Sequence, residues 1–380
     1  MAEPIVGLED VVVTTSTICF IDGEKGILRY RGYDVNELGA KSIYEEVAYL
    51  LLYGQLPIAD QLESFRGELR KNRPVPETLL SLLKLIPPQT DPMAWLRTAL
   101  SALAAFDPEA EDNSEPANLR KTLRITAQTA TLVAAIERIR KKLPVVPSDP
   151  QLDHSANFLY MLTGKKPDEL SRRAIDLALI LQADHELNAS TFAGRVTVST
   201  LSDIYSAVTS AVGTLKGPLH GGANQRVMEM LEKVGSVDNV ESFLKSQLAE
   251  KKKIMGFGHR IYTTVDPRAA ILKQMARDLS QKIGPAKWYE MSEAMEKIML
   301  REKHLNANLD FYAASVYRYL GIPTDFFPLV FATSRVIGWC THFIEQYKNN
   351  RLIRPITQYN GPQGLRYAPL ASRNSAGPTH

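Results

Sequence analysis

Along this chain apolar residues recur mostly at three- and four-residue intervals, the spacing that lines one face of an α-helix. Between residues 42 and 53, Ile43, Val47, Leu50 and Leu51 form one stripe. Ser42, with Glu45 three positions later, reads as a capping box that starts this helix, and Gly54 and Pro57 end it. The same periodicity predicts helices over 94–106, 119–140, 168–183, 201–215, 225–233, 267–283, 289–303, 311–320 and 327–347. Strand-like stretches are few and short: 11–14, 17–21 and 27–30, the last two separated by the turn formers Asp22-Gly23 and Lys25-Gly26. The pattern predicts a mainly α fold with a small N-terminal β hairpin, and no repeat of solenoid period occurs.

Between the periodic segments, residues 107–118 are acidic and turn-rich, and 141–150 carry three prolines. Both read as surface connections. Residues 361–380 hold three prolines and three glycines, so an extended or partly disordered tail is expected. With 380 residues, the chain has room for two or three domains. Its 45 basic and 42 acidic side chains give a formal net charge of +3, too balanced for a nucleic-acid coat or a membrane-surface protein. The acidic start and the absence of an apolar run near ~20 residues argue against a signal peptide and a membrane helix, so a cytoplasmic protein is expected. Two cysteines, Cys19 and Cys340, exclude a disulfide framework and suggest two buried free thiols.

Several positions suit chemistry on an anionic ligand. His220 stands in Gly217-Pro-Leu-His-Gly-Gly-Ala-Asn224, at a glycine-lined break between two helices where a ligand can approach the backbone. His259 lies in Lys251-Lys-Lys-Ile-Met-Gly-Phe-Gly-His-Arg260. That Gly-x-Gly lacks the third glycine of a dinucleotide fingerprint, but its basic flanks suit an anion as well as a plain solvated helix end. His185 follows a helix, where a charged imidazole would gain from the macrodipole; a structural and a ligand role fit equally. No histidine or cysteine pair has metal spacing, and no metal is implied. Asp310, just before an apolar-periodic stretch, has the position of a helix N-cap. Arg268, after Asp266-Pro267, reads as an exposed first-turn arginine. Arg335 sits among Phe331, Val336, Ile337 and Trp339, and a buried arginine needs anionic partners from protein or ligand. Arg354 lies in a Pro-flanked loop and carries no signal of its own.

In order and spacing, these segments resemble the citrate synthase family from about residue 7 to residue 362. The resemblance rests on the His220 segment, on Met255-Gly-Phe-Gly-His-Arg260 followed by Asp266-Pro-Arg268, and on Asn308-Leu-Asp310. Flanking matches are Phe20–Tyr33, Asp184–Ser190 and Ser334–Trp339. It implies condensation of acetyl-CoA with oxaloacetate and hydrolysis of the resulting thioester, with no cofactor. Asp310 would be the base that removes the acetyl proton. His220 would stabilise the enolate oxygen, and His259 would polarise the oxaloacetate carbonyl. His185, Arg268, Arg335 and Arg354 would hold the carboxylates, Arg354 from the partner subunit of a homodimer. Lys253, Met255, Gly256, Phe257, Gly258 and Arg260 would form part of the coenzyme A site. The fold implied is a two-domain citrate synthase-like one: a large helical domain, 1–221 and 321–380, and a small one, 222–320. Where relatives often carry a second arginine after Arg354-Pro355, this chain has Ile356-Thr357. The N-terminal extension of the NADH-regulated members is lacking, so that regulation is not expected. 2-Methylcitrate synthase, which uses propionyl-CoA, shares these motifs and is the nearest alternative.

Overall fold

The computed structural model describes residues 5–8 and 11–373. Three short strands, β1 (Cys19–Asp22), β2 (Ile27–Tyr30) and β3 (Tyr33–Asp34), form an antiparallel sheet in the order β1-β2-β3. The expected hairpin is thus its first two strands, with Cys19 opposite Tyr30 and Asp22 opposite Ile27. Helices follow: α1 (Val35–Lys41), α2 (Tyr44–Tyr53), α3 (Ala59–Lys71), α4 (Glu77–Lys84), α5 (Pro92–Leu103), α6 (Glu115–Arg140), α7 (His154–Thr163) and α8 (Glu169–Gln182). The second half holds α9 (Ala189–Ser199), α10 (Ile204–Leu215), α11 (Ala223–Val234), α12 (Val240–Ala249), α13 (Pro267–Lys282), α14 (Lys287–Lys303), α15 (Leu309–Tyr319) and α16 (Phe327–Lys348). Every helix expected from the periodicity is present, with ends displaced by a few residues. The six that periodicity missed, α1, α3, α4, α7, α9 and α12, are short or carry few apolar anchors. In α3 only Phe65 and Leu69 are buried, and α9 is built of small and β-branched residues.

Helix α16 is the axis of the core. From Phe327 to Ile344 every residue is buried, against α2, α6, α8, α9 and α10. A helix enclosed on all sides carries its polar groups only when each finds a partner. Thr333 and Thr341 bond back to the carbonyls of Leu329 and Ile337, and Ser334 reaches across to the Leu179 carbonyl. Gly338 sets the spacing: a Cβ there would overlap the Ala183 carbonyl oxygen and lie 2.6 Å from Asp184 Oδ1. The segment that follows α8 therefore lies directly on α16.

Some local expectations are corrected. The cap of α2 is not Ser42 with Glu45: the Glu46 carboxylate accepts from the Ile43 N–H at 3.1 Å. Glu45 is drawn instead into the interior, where it takes the His154 N–H, the first of α7, at 2.9 Å, beside the N-cap Asp153. Residues 11–14 form no strand; most are exposed, and β-branched residues without a ladder partner do not make one. The last residues of the acidic 107–118 stretch join α6. Both cysteines are free, but only Cys340 is buried; Cys19 is half-buried. The two chain ends, Met1–Thr15 and Ile353–His380, form a unit separate from Ser16–Leu352. Its described residues 361–373 are almost wholly exposed, with one short 3-10 turn, Leu370–Ser372; residues 374–380 of the expected tail lie outside the described residues. Among the described residues, no helix is long and apolar enough to cross a membrane.

Candidate active site

Five stretches of chain bring the titratable groups together. His185 follows α8, His220 lies between α10 and α11, and His259 precedes α13. Asp310 is in the first turn of α15, and Arg335 is in the middle of α16. The His185 and His259 rings are 5.4 Å apart, and Tyr262 packs against both, at 5.7 and 4.7 Å. The Tyr262 hydroxyl is 3.3 Å from His185 Nε2. The Arg268 guanidinium lies 6.0 Å from the Tyr262 ring. His220 joins through Ser190, whose Oγ is 2.8 Å from His220 Nε2 and accepts from Trp339 Nε1 at 3.1 Å.

The local sequence explains each placement. In the His220 break, Gly221 donates to the Leu215 carbonyl at 2.9 Å and packs so tightly on Leu215 that a Cβ would overlap it. Both glycines around Phe257 have positive φ, +82° at Gly256 and +75° at Gly258, but only Gly256 is also required by packing. Gly256, at φ +82°, lies where a Cβ would come within 2.8 Å of Phe311 and Val227. Asn308 then ties this loop to α15. Its N–H donates to the Gly256 carbonyl at 2.9 Å, its Nδ2 donates to the Gly258 carbonyl at 2.9 Å, and its Oδ1 accepts from the Asp310 N–H. Asn308, not Asp310, is therefore the N-cap. Asp310 is spared that duty, and its carboxylate accepts no hydrogen bond from the described residues.

Arg268 is not exposed. It is buried on Asp266, with Nε and Nη2 each 2.9 Å from a carboxylate oxygen. Asp266 also caps α13 and accepts from the Leu309 N–H, so one carboxylate joins the starts of α13 and α15. Arg335 is 1% exposed. Its Nε donates to the Gln182 carbonyl at 2.6 Å and its guanidinium stacks on Phe331 at 4.7 Å. Among the described residues neither terminal nitrogen of Arg335 has a hydrogen-bond partner.

Burial and these cations set the charges. Burial, reinforced by Arg335, brings the His220 pKa down to about 4. Burial and Arg268 do the same for His259, again to about 4, against the opposing pull of Asp266. His185 is pushed well below the ordinary range by burial, then by Arg268 and Arg335. All three imidazoles are neutral at pH 7, so the macrodipole gain of a charged His185 is not realised. Burial lifts Asp310 to about 6, although Arg268 and Arg335 pull it down. His259 has a defined tautomer: Nδ1 accepts from the N–H groups of Ile261 and Tyr262 at 3.0 and 3.1 Å. The proton of the neutral ring is therefore on Nε2, a donor.

The residues expected to form the CoA site flank His259 along the chain. Met255 and Phe257 are half-buried on the core, while Lys253 and Arg260 are exposed. Arg354 is exposed and belongs to the unit of the chain ends. Sequence reasoning passed over Ser190, Tyr262 and Asp266. Asp266 stood out only as a helix start, and nothing local marks a serine or tyrosine that meets a histidine far along the chain.

A family model described as citrate synthase, C-terminal domain, matches residues 7–356. Citrate synthase 2 of Bacillus subtilis is 48% identical over 370 residues, 97% of this chain and 98% of that protein. A citrate/2-methylcitrate synthase of the same organism is 44% identical over 94% of this chain and 96% of its own length. Among solved structures, the ternary complex of carboxymethyl coenzyme A and oxaloacetate with the citrate synthase of Thermoplasma acidophilum superposes with a TM-score of 0.93. It is 35% identical, covering 98% of this chain and 100% of that one. The chain belongs to the citrate synthase family.

Proposed function

We propose that this chain condenses acetyl-CoA with oxaloacetate and water to give citrate and CoA, the entry step of the tricarboxylic acid cycle. The observation that carries the reading is Arg335, a buried guanidinium whose two terminal nitrogens have no partner among the described residues, beside neutral imidazoles and the Asp310 carboxylate, likewise without one. A buried cation needs an anion, and the forked geometry of arginine fits a carboxylate. Oxaloacetate supplies two. In this reading Arg335 and the free Nη1 of Arg268 take the carboxylates with His185, and Arg354 of the partner subunit in a homodimer completes the set.

Asp310, ionised above about pH 6 and with a carboxylate that bonds none of the described residues, takes a proton from the acetyl methyl group. The electron pair moves toward the thioester oxygen, where neutral His220 donates a hydrogen bond. Ser190 has one hydroxyl proton and two acceptors in reach, Asn188 Oδ1 and His220 Nε2. When it donates to Nε2, the imidazole proton is on Nδ1. The enol carbon then attacks the oxaloacetate carbonyl, whose oxygen takes the proton of His259 Nε2. Water cleaves the citryl thioester and releases the CoA thiol. Lys253, Met255–Gly258 and Arg260 are assigned to CoA. Residues 222–320, carrying His259, Arg268 and Asp310, are assigned to a small domain that closes on oxaloacetate bound to the larger one, keeping water from acetyl-CoA until both substrates are present. A cytoplasmic location fits this metabolism.

Thiol release from acetyl-CoA, dependent on oxaloacetate, tests the reading. It is expected in the parental chain and lost in Asp310→Asn; release unchanged in that variant removes Asp310 as the base. The dual-named relative from Bacillus subtilis favours a second reading, 2-methylcitrate synthesis from propionyl-CoA. One methylene in a pocket shifts specificity by only ~1–3 kcal/mol, so kcat/KM for the two acyl-CoAs decides between them.

A further inference from the structure

The turn between β1 and β2 takes no part in the chemistry above, yet it lies against the loop that does. The Thr263 N–H donates to the Gly23 carbonyl at 3.1 Å. A Cβ on Gly23 would overlap the Ile261 carbonyl oxygen, with the Ile261 carbonyl carbon at 2.9 Å. A Cβ on Gly26 would lie 2.7 Å from the Val265 carbonyl oxygen. Two glycines thus let the turn sit flush on residues 261–265, between His259 and Arg268. The turn itself is pinned, since Asp22 accepts from the Lys25 N–H at 3.0 Å and pairs with its ammonium at 3.0 Å.

The other end of the hairpin is anchored under His185. Tyr30, fully buried, has its hydroxyl 3.0 Å from the Asp184 carbonyl oxygen and 3.2 Å from that of Leu181. Between Tyr30 and Ile27 the chain is a paired strand, which spans ~3.4 Å per residue and resists compression. One short hairpin therefore bridges the backbone before His185 and the backbone after His259.

We propose that the β1–β2 hairpin is a brace that positions the 259–268 loop against His185, with Gly23 and Gly26 as positioning residues. The loop needs such a brace because residues 259–266 contain no helix or strand of their own. Its N–H groups also fix the His259 tautomer, so a displaced loop disturbs both the ring and Arg268. The inference rests on the proposed reading of the site for its effect on oxaloacetate.

Gly23→Ala is the cleaner probe, because Gly23 does not need a positive φ whereas Gly26 does, at +63°. The control is Gly32→Ala in the same sheet: φ there is +89°, but a Cβ would meet nothing within 4 Å. Two measurements are made on each full chain: amide hydrogen exchange over 259–266, and kcat/KM for oxaloacetate. Gly23→Ala is expected to speed exchange in that segment selectively and to lower kcat/KM for oxaloacetate on the order of 10²-fold, the cost of roughly 1 Å of misplacement. KM for acetyl-CoA stays unchanged. Gly32→Ala is expected to lower the melting temperature without either effect. Unchanged exchange over 259–266 in Gly23→Ala overturns the brace, as does an equal response in the two variants. Faster exchange with an intact kcat/KM overturns its role in positioning. A parental chain without condensation activity would strike the reading of the site, while the exchange arm still tests the brace.

Discussion

The first turn of α13 and the middle of α16 each bury an arginine, and the two are held in opposite ways. Arg268 has its own carboxylate: Asp266 takes two of its nitrogens, and although burial opposes the charge, that partner holds the guanidinium above its ordinary pKa. Among the described residues Arg335 bonds a carbonyl and stacks on an aromatic face with no carboxylate in hydrogen-bond contact, and burial pushes its pKa down against the more distant pull of Asp184. The pair at α13 is already neutralised and also joins two helix starts, so it serves the fold as well as a ligand. The cation in α16 leaves its two terminal nitrogens open to a ligand anion, among the described residues. A buried charge with no carboxylate against it is costly, and a substrate carboxylate would offset that cost.

That contrast predicts different losses from the same substitution. Arg335→Gln is expected to lower kcat/KM for oxaloacetate on the order of 10²–10⁴-fold, from two charge-assisted hydrogen bonds at ~1.5–3 kcal/mol each, and to leave the melting temperature unchanged or raised. Substantial destabilisation would show that Arg335 has an anionic protein partner in the resting enzyme. Arg268→Gln is expected to weaken oxaloacetate binding too, but also to destabilise the fold by about 3–5 kcal/mol, since it leaves Asp266 buried and unpaired. Denaturant unfolding of the two variants side by side separates them. The sign with pH follows. Asp266 has its pKa depressed, despite burial, by Arg268. Its contribution is full above the unfolded carboxylate range and is lost as pH falls through the lower folded value.

A smaller effect falls on the acid limb of activity. With His220 and His259 neutral above about pH 4 and Asp310 at about 6, kcat/KM is expected to rise with pH through ~6 as Asp310 loses its proton. Both arginines hold Asp310 down against its burial, Arg268 more than Arg335. Each neutral variant is therefore expected to move the acid limb to higher pH, Arg268→Gln further. A limb that stays in place in both would separate Asp310 from the two cations.

Much of this was legible from the residues. Periodicity located the long helices because helices such as α5, α8 and α11 keep one face in the core and repeat it every turn. It missed α3, whose narrow stripe buries only Phe65 and Leu69 in a highly charged segment, and α9, built of small and β-branched residues. The helix starts were read by chemistry at the right places but with the wrong owners. Asn308 rather than Asp310 caps α15, and Glu46 rather than Glu45 serves α2, since the Glu45 carboxylate is claimed by the His154 N–H, 109 residues away. Arg268 looked exposed because a first-turn position says nothing about the neighbour packed over it.

The sequence by itself determined the helical class, the motifs that identify the family and the oddity of an arginine inside an apolar run. Those depend on residue types a few positions apart, where spacing maps directly onto a helix face or a turn. Only the tertiary structure decided which arginine had a carboxylate, which nitrogen of His259 carries the proton, and that the hairpin reaches the 261–265 loop. Arg268 and His259 find their partners two or three residues away, but only in a loop conformation that the surrounding packing imposes, while the hairpin meets that loop at 3.1 Å from 240 residues away.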